Sequence, residues 1–504
     1  MRMLSLFFVL GPASLGVAAA CSAETFTAAD VESDASVEAG SEGETSVETG
    51  DDVQVVRPNE AAAPDGSDGA AHAGPDTSTP IVPVEAGFCT ETPDPVKGAF
   101  VSPSGAGNKG PCDPNAPCGS IQDGIAWAKS NARTLVYVDQ GTYTELLALA
   151  AGLTIQGGWK HDQSGWKRIC DDQQRAQSVV VQASGSNITA RADNIGGTVT
   201  LDTINLRSRL SPPAAPGESF FGLFATGATT RVNLVGVGIS VNAGGDGSTG
   251  SAGNYGSTGG SGCAAGTPTT PPPAAAGAGA QLGSFSITGY ATAQGAAGAS
   301  GSAGGNGTFT AGTCSATNGC KVCTLVDEGQ PGTLLCEETR TETICGSAGV
   351  PGCGGGGGTP GAAGTSGGSS VALYVWGATV TTDYANLTAG NGGAGGAGGA
   401  GGSGGPPSPG TNGAARFCKT ACTGINVCNA TGVSEPGGTG NPGATGGTGG
   451  TGGGGAGGSS YAYFLSPGLG SVTTSNTIFY HGNAGGPGVG GAPTAASGVV
   501  ADHN

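Results

Sequence analysis

The sequence predicts an all-β protein in which stacked coils of short strands alternate with long extended insertions. Three observations carry this reading. Glycine supplies 103 of 504 residues, roughly three times its average usage. Short apolar pieces of strand length form a recurring unit of about 25 residues, within the range of solenoid repeats. Between them glycine returns at every third position over as many as 22 residues. That period belongs to an extended threefold helix rather than to an α-helix or a strand. Charged residues are 11% and aromatics 5%, too few for one large globule around one core. The 15 cysteines and the apolar pieces argue equally against a uniformly disordered polymer. Only 30 prolines, and glycine well short of one third, argue against plain collagen.

The chain opens with Met1-Arg2-Met3, an apolar run over 4–17, and Ala18-Ala19-Ala20-Cys21. A charged start, a short apolar stretch and small residues form an export signal over 1–20, too short for a membrane span. The small residues before Cys21 resemble a bacterial lipoprotein signal. That resemblance implies acylation of the Cys21 thiol, and with it a lipid anchor at the outer membrane or cell surface. Residues 21–95 then read as an acidic linker. Between Glu24 and Asp94 lie 17 acidic residues against the single base Arg57, which accounts for −16 of the net −18. The stretch is rich in Ala, Ser, Gly and Pro, buries too little to fold, and is kept extended by like charge. The remainder of the chain is nearly neutral, which argues against a nucleic-acid partner.

Residues 96–245 read as the start of the folded stack. Ser120 stands as an N-cap with Asp123 three residues on, and Ile121, Ile125 and Ala128 share one face of a short helix. Strand composition follows at 134–138 and again at 153–159. The order VSPSG, CGSIQDGIAWA, LVYVDQGTYTE, GLTIQGGW over about residues 98–160 resembles the N-terminal part of the pectin-lyase-like right-handed parallel β-helix, in its DUF1565-type subgroup. The resemblance implies a helix capping the open end of a β-solenoid, where an unpaired edge would otherwise be exposed.

Downstream, strand-like pieces are expected at 197–206, 219–241, 280–288, 371–388 and 460–480. Three share one shape. Ser219, Ser370 and Ser460 each open an apolar stretch that ends in Asn242-Ala243-Gly244, Asn391-Gly392-Gly393 or Asn483-Ala484-Gly485. Residues 246–459 therefore read as coils interrupted by insertions, and 460–504 as a last coil with a tail.

Within the insertions glycine holds 247 to 259, 295 to 307, 346 to 367, 390 to 405 and 437 to 458 in steps of three. One run leads out, cysteines follow, and another run leads back. Such runs predict antiparallel hairpins of extended helix, packed as a polyglycine-II-like bundle rather than a collagen trimer or loose loops. At ~3.1 Å per residue the last return would reach on the order of 68 Å.

Removing Cys21 leaves an even 14 cysteines, enough for seven disulfides in an oxidising compartment. The disulfide candidates are Cys89, Cys112, Cys118, Cys170, Cys263, Cys314, Cys320, Cys323, Cys336, Cys345, Cys353, Cys418, Cys422 and Cys428. Cys89, Cys112, Cys118 and Cys170 are expected to pair among themselves near the cap. Cys263, alone in its loop, is expected to pair with a cysteine of the 418–428 tip. Cys320-Lys-Val-Cys323 would need a second pair or histidines to hold zinc, and His72, His161, His481 and His503 are all remote in sequence. No metal or cofactor is implied.

Lyases of the resembled fold need a Lys or Arg base with acidic calcium ligands, and hydrolases need paired carboxylates. Asp202 with Arg207 and Arg209 is the one candidate cluster. Asp246 and Asp383 stand isolated, and His481 has no carboxylate near it in sequence. The expectation is a surface lipoprotein with a structural, adhesive or glycan-binding role and no catalysis. Phe220, Phe221, Tyr374, Trp376, Tyr461 and Tyr463 are candidates for stacking on sugars, with core filling as the competing role. Two alternatives remain open. One is a divergent carbohydrate-active enzyme. The other is ice or mineral binding along the rows Ala394, Ala397, Ala400 and Thr445, Thr448, Thr451, where the chain resembles glycine-triplet antifreeze proteins of insects and springtails.

Overall fold

The computed structural model describes residues 88–105, 111–321, 339–417, 421–422, 428–429 and 434–504. The export segment, Cys21, the acidic stretch up to residue 87, Cys323, Cys336 and Cys418 lie outside the described residues. The described chain is mostly β, with two α-helices.

Three parallel sheets dominate. The largest takes in Gly98–Val101, Leu135–Asp139, Leu153–Asp162, Thr198–Asp202, Arg231–Val235, Thr379–Asp383 and Ser471–Ser475, in that order. A second runs Gly141–Thr144, Val179–Gln182, Asn205–Arg207, Gly238–Ser240, Asn386–Thr388 and Ile478–Tyr480. The third runs Leu147–Ala148, Ile188–Asp193, Phe220–Thr226, Ser370–Trp376, Ser460–Leu465 and Val500–His503. Each later pass of the chain visits the third sheet, then the largest, then the second.

The three sequence segments of common shape lie directly on one another. Phe220 pairs with Ser370 and Ser370 with Ser460. Arg231 pairs with Thr379 and Thr379 with Ser471. Gly238 pairs with Asn386 and Asn386 with Ile478. Like residues therefore stack on like. Val199, Val232 and Val380 are fully buried, as are Leu206 and Leu387, with Ile239 between them all but so. Burying each such side chain contributes about 1.5–3 kcal/mol. The turn between the second and third strands of each pass is left-handed at Thr203, Gly236, Tyr384 and Asn476. Only Gly236 adopts that conformation without steric cost.

The helix Ile121–Ser130 forms as its sequence predicts. Ser120 is the N-cap and accepts from the Asp123 amide, while Ile121, Ile125 and Ala128 are buried. Glu145 also accepts from the amides of Ile121 and Gln122, at 2.8 and 2.9 Å. Phe88–Thr90 forms a short 3₁₀ turn.

One expected coil piece is placed differently. Residues 280–288 join none of the three sheets. Ser284–Ser286 pairs antiparallel with Gly289–Ala291, and this small hairpin covers aromatic side chains on the third sheet. The physical reason is composition. Phe285 stacks on Phe464 at 4.1 Å, and the Tyr374 hydroxyl donates to the Ser286 carbonyl, so the hairpin caps an apolar face that would otherwise meet water.

Candidate functional site

The outgoing runs at 247 and 390 leave after strands of the second sheet, and the returns ending at 367 and 458 re-enter before strands of the third, whereas the run at 295 starts after the small hairpin at 284–291. Successive insertions therefore start from one corner and lie side by side. Backbone hydrogen bonds join them at every third residue. The outgoing run 247–259 donates from Gly247, Gly250, Gly253, Gly256 and Gly259 to the carbonyls of Ala394, Ala397, Ala400, Ser403 and Pro406. Both members of this pair run outward, so they are parallel. The return 350–368 accepts from Gly393, Gly396, Gly399, Gly402 and Gly405 in the antiparallel sense. It also donates, in parallel, from Gly355, Gly358, Gly361 and Gly364 to Ala444, Gly447, Gly450 and Gly453. The runs are thus an ordered bundle with both parallel and antiparallel neighbours.

Glycine is required because backbone meets backbone. A Cβ at Gly358 would collide with the Gly402 carbonyl, one at Gly404 with Gly446, and one at Gly449 with Thr359. Along the outer faces of the bundle the residues between the bonded glycines meet solvent, whereas Ser366 and Ala456 are buried inside it. Ala394, Ala400 and Ser403 are exposed and Ala397 half-buried, and Thr445, Thr448 and Thr451 are exposed.

Two disulfides tie the bundle. Cys314 bonds Cys345 across the base of an antiparallel tip hairpin. Cys263 bonds Cys353, not a cysteine of the 418–428 tip, which corrects the expectation from sequence. The cause is run length. Gly259 pairs with Pro406 near the outer end of its run, and Ser408 pairs with Cys353 at the same level. The run bearing Pro406 continues outward to Gly413, which pairs with Gly438, so the shorter run 247–259 ends against the flanks of its longer neighbours. Near the cap Cys112 bonds Cys118, while Cys89 and Cys170 are exposed thiols. Cys320, Cys422 and Cys428 are placed only as strand backbone, with Cys422 opposite Cys428.

The candidate catalytic cluster does not assemble. Asp202 accepts from Gln156 at 2.9 Å and lies 3.9 Å from Arg168. Arg209 instead forks onto Glu218 at 2.8 and 2.5 Å, and Arg207 is exposed. Asp246 accepts from the Ala394 amide at 2.7 Å, which makes it a brace between two insertions. Asp383 accepts from Asn476 at 3.2 Å. His481, expected to stand alone, has Asp502 of the last strand 3.8 Å from Nε2. Sequence separation is small there, but only the return of the chain to the third sheet makes them neighbours. Among the described residues no group of three His, Cys, Asp or Glu side chains could hold a metal ion.

Four of the six candidate sugar-stacking aromatics are buried. Phe220 packs in the main core, while Phe221, Tyr374 and Tyr461 form a cluster with Phe224 and Phe464 under the hairpin. Phe224, Tyr374 and Phe464 occupy one register position on successive strands and stack at 4.7 and 5.1 Å. Only Trp376 and Tyr463 are partly exposed.

The structure adds a cleft that residue types alone do not mark. It measures about 800 Å³ and is lined by Pro93, Asn115, His161, Asp162, Gln163 and Trp166, among others. Trp166 lies on the strand Gly165–Arg168, which folds back on the end of Leu153–Asp162. Its indole stacks on His161 at 4.9 Å and donates to the Pro114 carbonyl at 3.0 Å. The buried Asp139 accepts from the His161 amide at 2.9 Å and holds this hairpin next to its turn. The arrangement offers an aromatic edge beside carboxamide and carboxylate groups.

The Arg209–Glu218 pair lies where the insertions leave the sheets, since the Glu218 carbonyl accepts from Gly245. Hydrogen bonding to Arg209 holds the Glu218 carboxyl below the usual carboxylate range. A depressed acid stabilises the fold in its ionised form. That contribution is full above the ordinary value of 4.5 and is lost as the pH falls through the native value. Thermal melts between pH 7 and pH 3 should therefore show a smaller acid-induced drop in Glu218→Gln than in the wild type. An identical drop in both would show that this pair carries no acid sensitivity. No known family, no curated protein and no solved structure matches this chain.

Proposed function

We propose that the three parallel sheets are the walls of a right-handed parallel β-helix of the pectin-lyase-like type. On this reading the protein is a surface or envelope lipoprotein, anchored by lipid at Cys21 and held off the membrane by the acidic stretch, with a structural, adhesive or glycan-binding role. The orderly cycling of the chain through three sheets supports the β-helix. The structural role is carried by one observation, the bundle of insertions laced together by a backbone hydrogen bond at every third residue. Such a lattice makes a stiff projection from few apolar side chains.

The glycan-binding part of the proposal now rests on the cleft around Trp166, because the coil aromatics are mostly buried. Glycan-array binding of the purified protein tests it. Trp166→Ala is expected to weaken binding about tenfold, the scale of one lost aromatic contact. Gln163→Ala, at the cleft rim, guards against a folding artefact of the larger change. Binding unchanged in both variants would remove the cleft from the proposal. Release of reducing sugar from an acidic polysaccharide would instead favour the carbohydrate-active enzyme. Mass spectrometry of the mature N-terminus tests the lipid anchor directly.

A second reading, ice or mineral contact, draws on the exposed threonines at three-residue spacing. Thermal hysteresis of the purified protein would support it, and its absence would dispose of ice binding.

A further inference from the structure

We propose that Cys89 and Cys170 close a disulfide that staples the end of the acidic stretch to the folded body. Both thiols are exposed, on opposite sides of one contact. The turn Phe88–Thr90 packs on the strand Gly165–Arg168, which ends two residues before Cys170. Glu91 lies 3.5 Å from Arg168 across the same contact, and the Cys170 thiol lies 3.8 Å from the Arg168 carbonyl. Hydrogen bonding with Cys170, ahead of burial, pushes the Cys89 thiol up from its ordinary range. A pair held this way needs little movement to bond.

The step requires an external disulfide oxidant, such as oxidised glutathione or a disulfide oxidoreductase. One thiolate attacks a sulfur of the oxidant and expels its partner thiolate. The second cysteine thiolate then attacks the mixed disulfide and expels the other half. Two protons leave the cysteines, two electrons reduce the oxidant, and one S–S bond replaces another.

The consequence is mechanical, and this part rests on the anchored reading under Proposed function. With the crosslink closed, tension along the acidic stretch enters the body at Cys170. The strand Gly98–Val101 and the capping helix Ile121–Ser130 then lie outside the load path. With it open, tension enters through the end strand of the largest sheet, which has a neighbouring strand on one side only.

The test is peptide mapping without reductant on the full chain, equilibrated in a mixture of oxidised and reduced glutathione. The expected result is a Cys89–Cys170 crosslinked peptide in most molecules, with Cys89 becoming alkylated by iodoacetamide in Cys170→Ser. Alkylation of both cysteines in the oxidised wild type, or a bond from Cys89 to any other cysteine, would overturn the proposal. Mapping separates this inference from the anchor. A crosslink with unmodified Cys21 fails the anchor alone, and acylated Cys21 with two alkylated thiols fails the crosslink alone.

Discussion

Gly358→Val is expected to destabilise the bundle by about 3 kcal/mol or more, at the upper end of overpacking costs. Gly358 sits midway along a return run that has hydrogen-bonded neighbours on several sides. It donates to Gly447 at 3.0 Å and accepts from Gly301 at 2.9 Å, and its own Cβ direction points at the Gly402 carbonyl. A surface side chain would swing aside, but a carbonyl fixed in a ladder cannot move without breaking its neighbours' bonds. The cost therefore spreads through the lattice. Gly260→Ala is the matched control, because a Cβ there would meet nothing within 4 Å. Its effect is expected to stay within about 0.5 kcal/mol. Denaturant melts combined with amide hydrogen exchange along 350–368 read both variants. Equal protection in Gly358→Val and wild type would mean that the runs do not pack as described.

The second large effect is expected from the double change Cys263→Ser with Cys353→Ser. This disulfide spans 90 residues of chain. In the chain-entropy account, closing a loop of that size restricts the unfolded state by roughly 4–5 kcal/mol, against roughly 2 kcal/mol for a loop the size of the one closed by Cys112 and Cys118. That second bond spans 6 residues, so removing it should cost about half as much. The long bond also joins two different runs of the bundle, and few apolar side chains are there to replace it. Denaturant midpoints of the two double variants, each compared with the wild type, measure the ratio. A smaller loss for the 263–353 pair than for the 112–118 pair would show that the insertions hold together without their crosslink.

Much of the folded start was legible because its signals are local. Ser120 as N-cap and the face of Ile121, Ile125 and Ala128 require only residues a few positions apart, and the structure places them so. The stacking of Ser219, Ser370 and Ser460 repeats was legible because like sequence packs on like. The hairpin at 284–291 was not. Its apolar residues have strand composition, and composition does not say whether a strand enters a sheet or covers one. Phe220, Phe221, Tyr374 and Tyr461 take the core-filling role that the sequence also offered, and the cover over the last three comes from a segment far away in sequence. The cleft at Trp166 was invisible because it needs Pro93, Asn115 and His161 brought together from three separate stretches.

Glycine at every third place already dictates extended runs whose bare edges admit another backbone, and the out-and-back order already makes each insertion a hairpin. Which runs become neighbours is another matter. Successive insertions spring from one corner of stacked strands, so outgoing runs of different hairpins end up parallel and hydrogen-bonded. That common origin, together with the short reach of the first outgoing run, delivers Cys263 to Cys353. Local chemistry is written along the chain. Partners across the bundle depend on where the sheets plant each run and how far it extends, and no short stretch of residues encodes either.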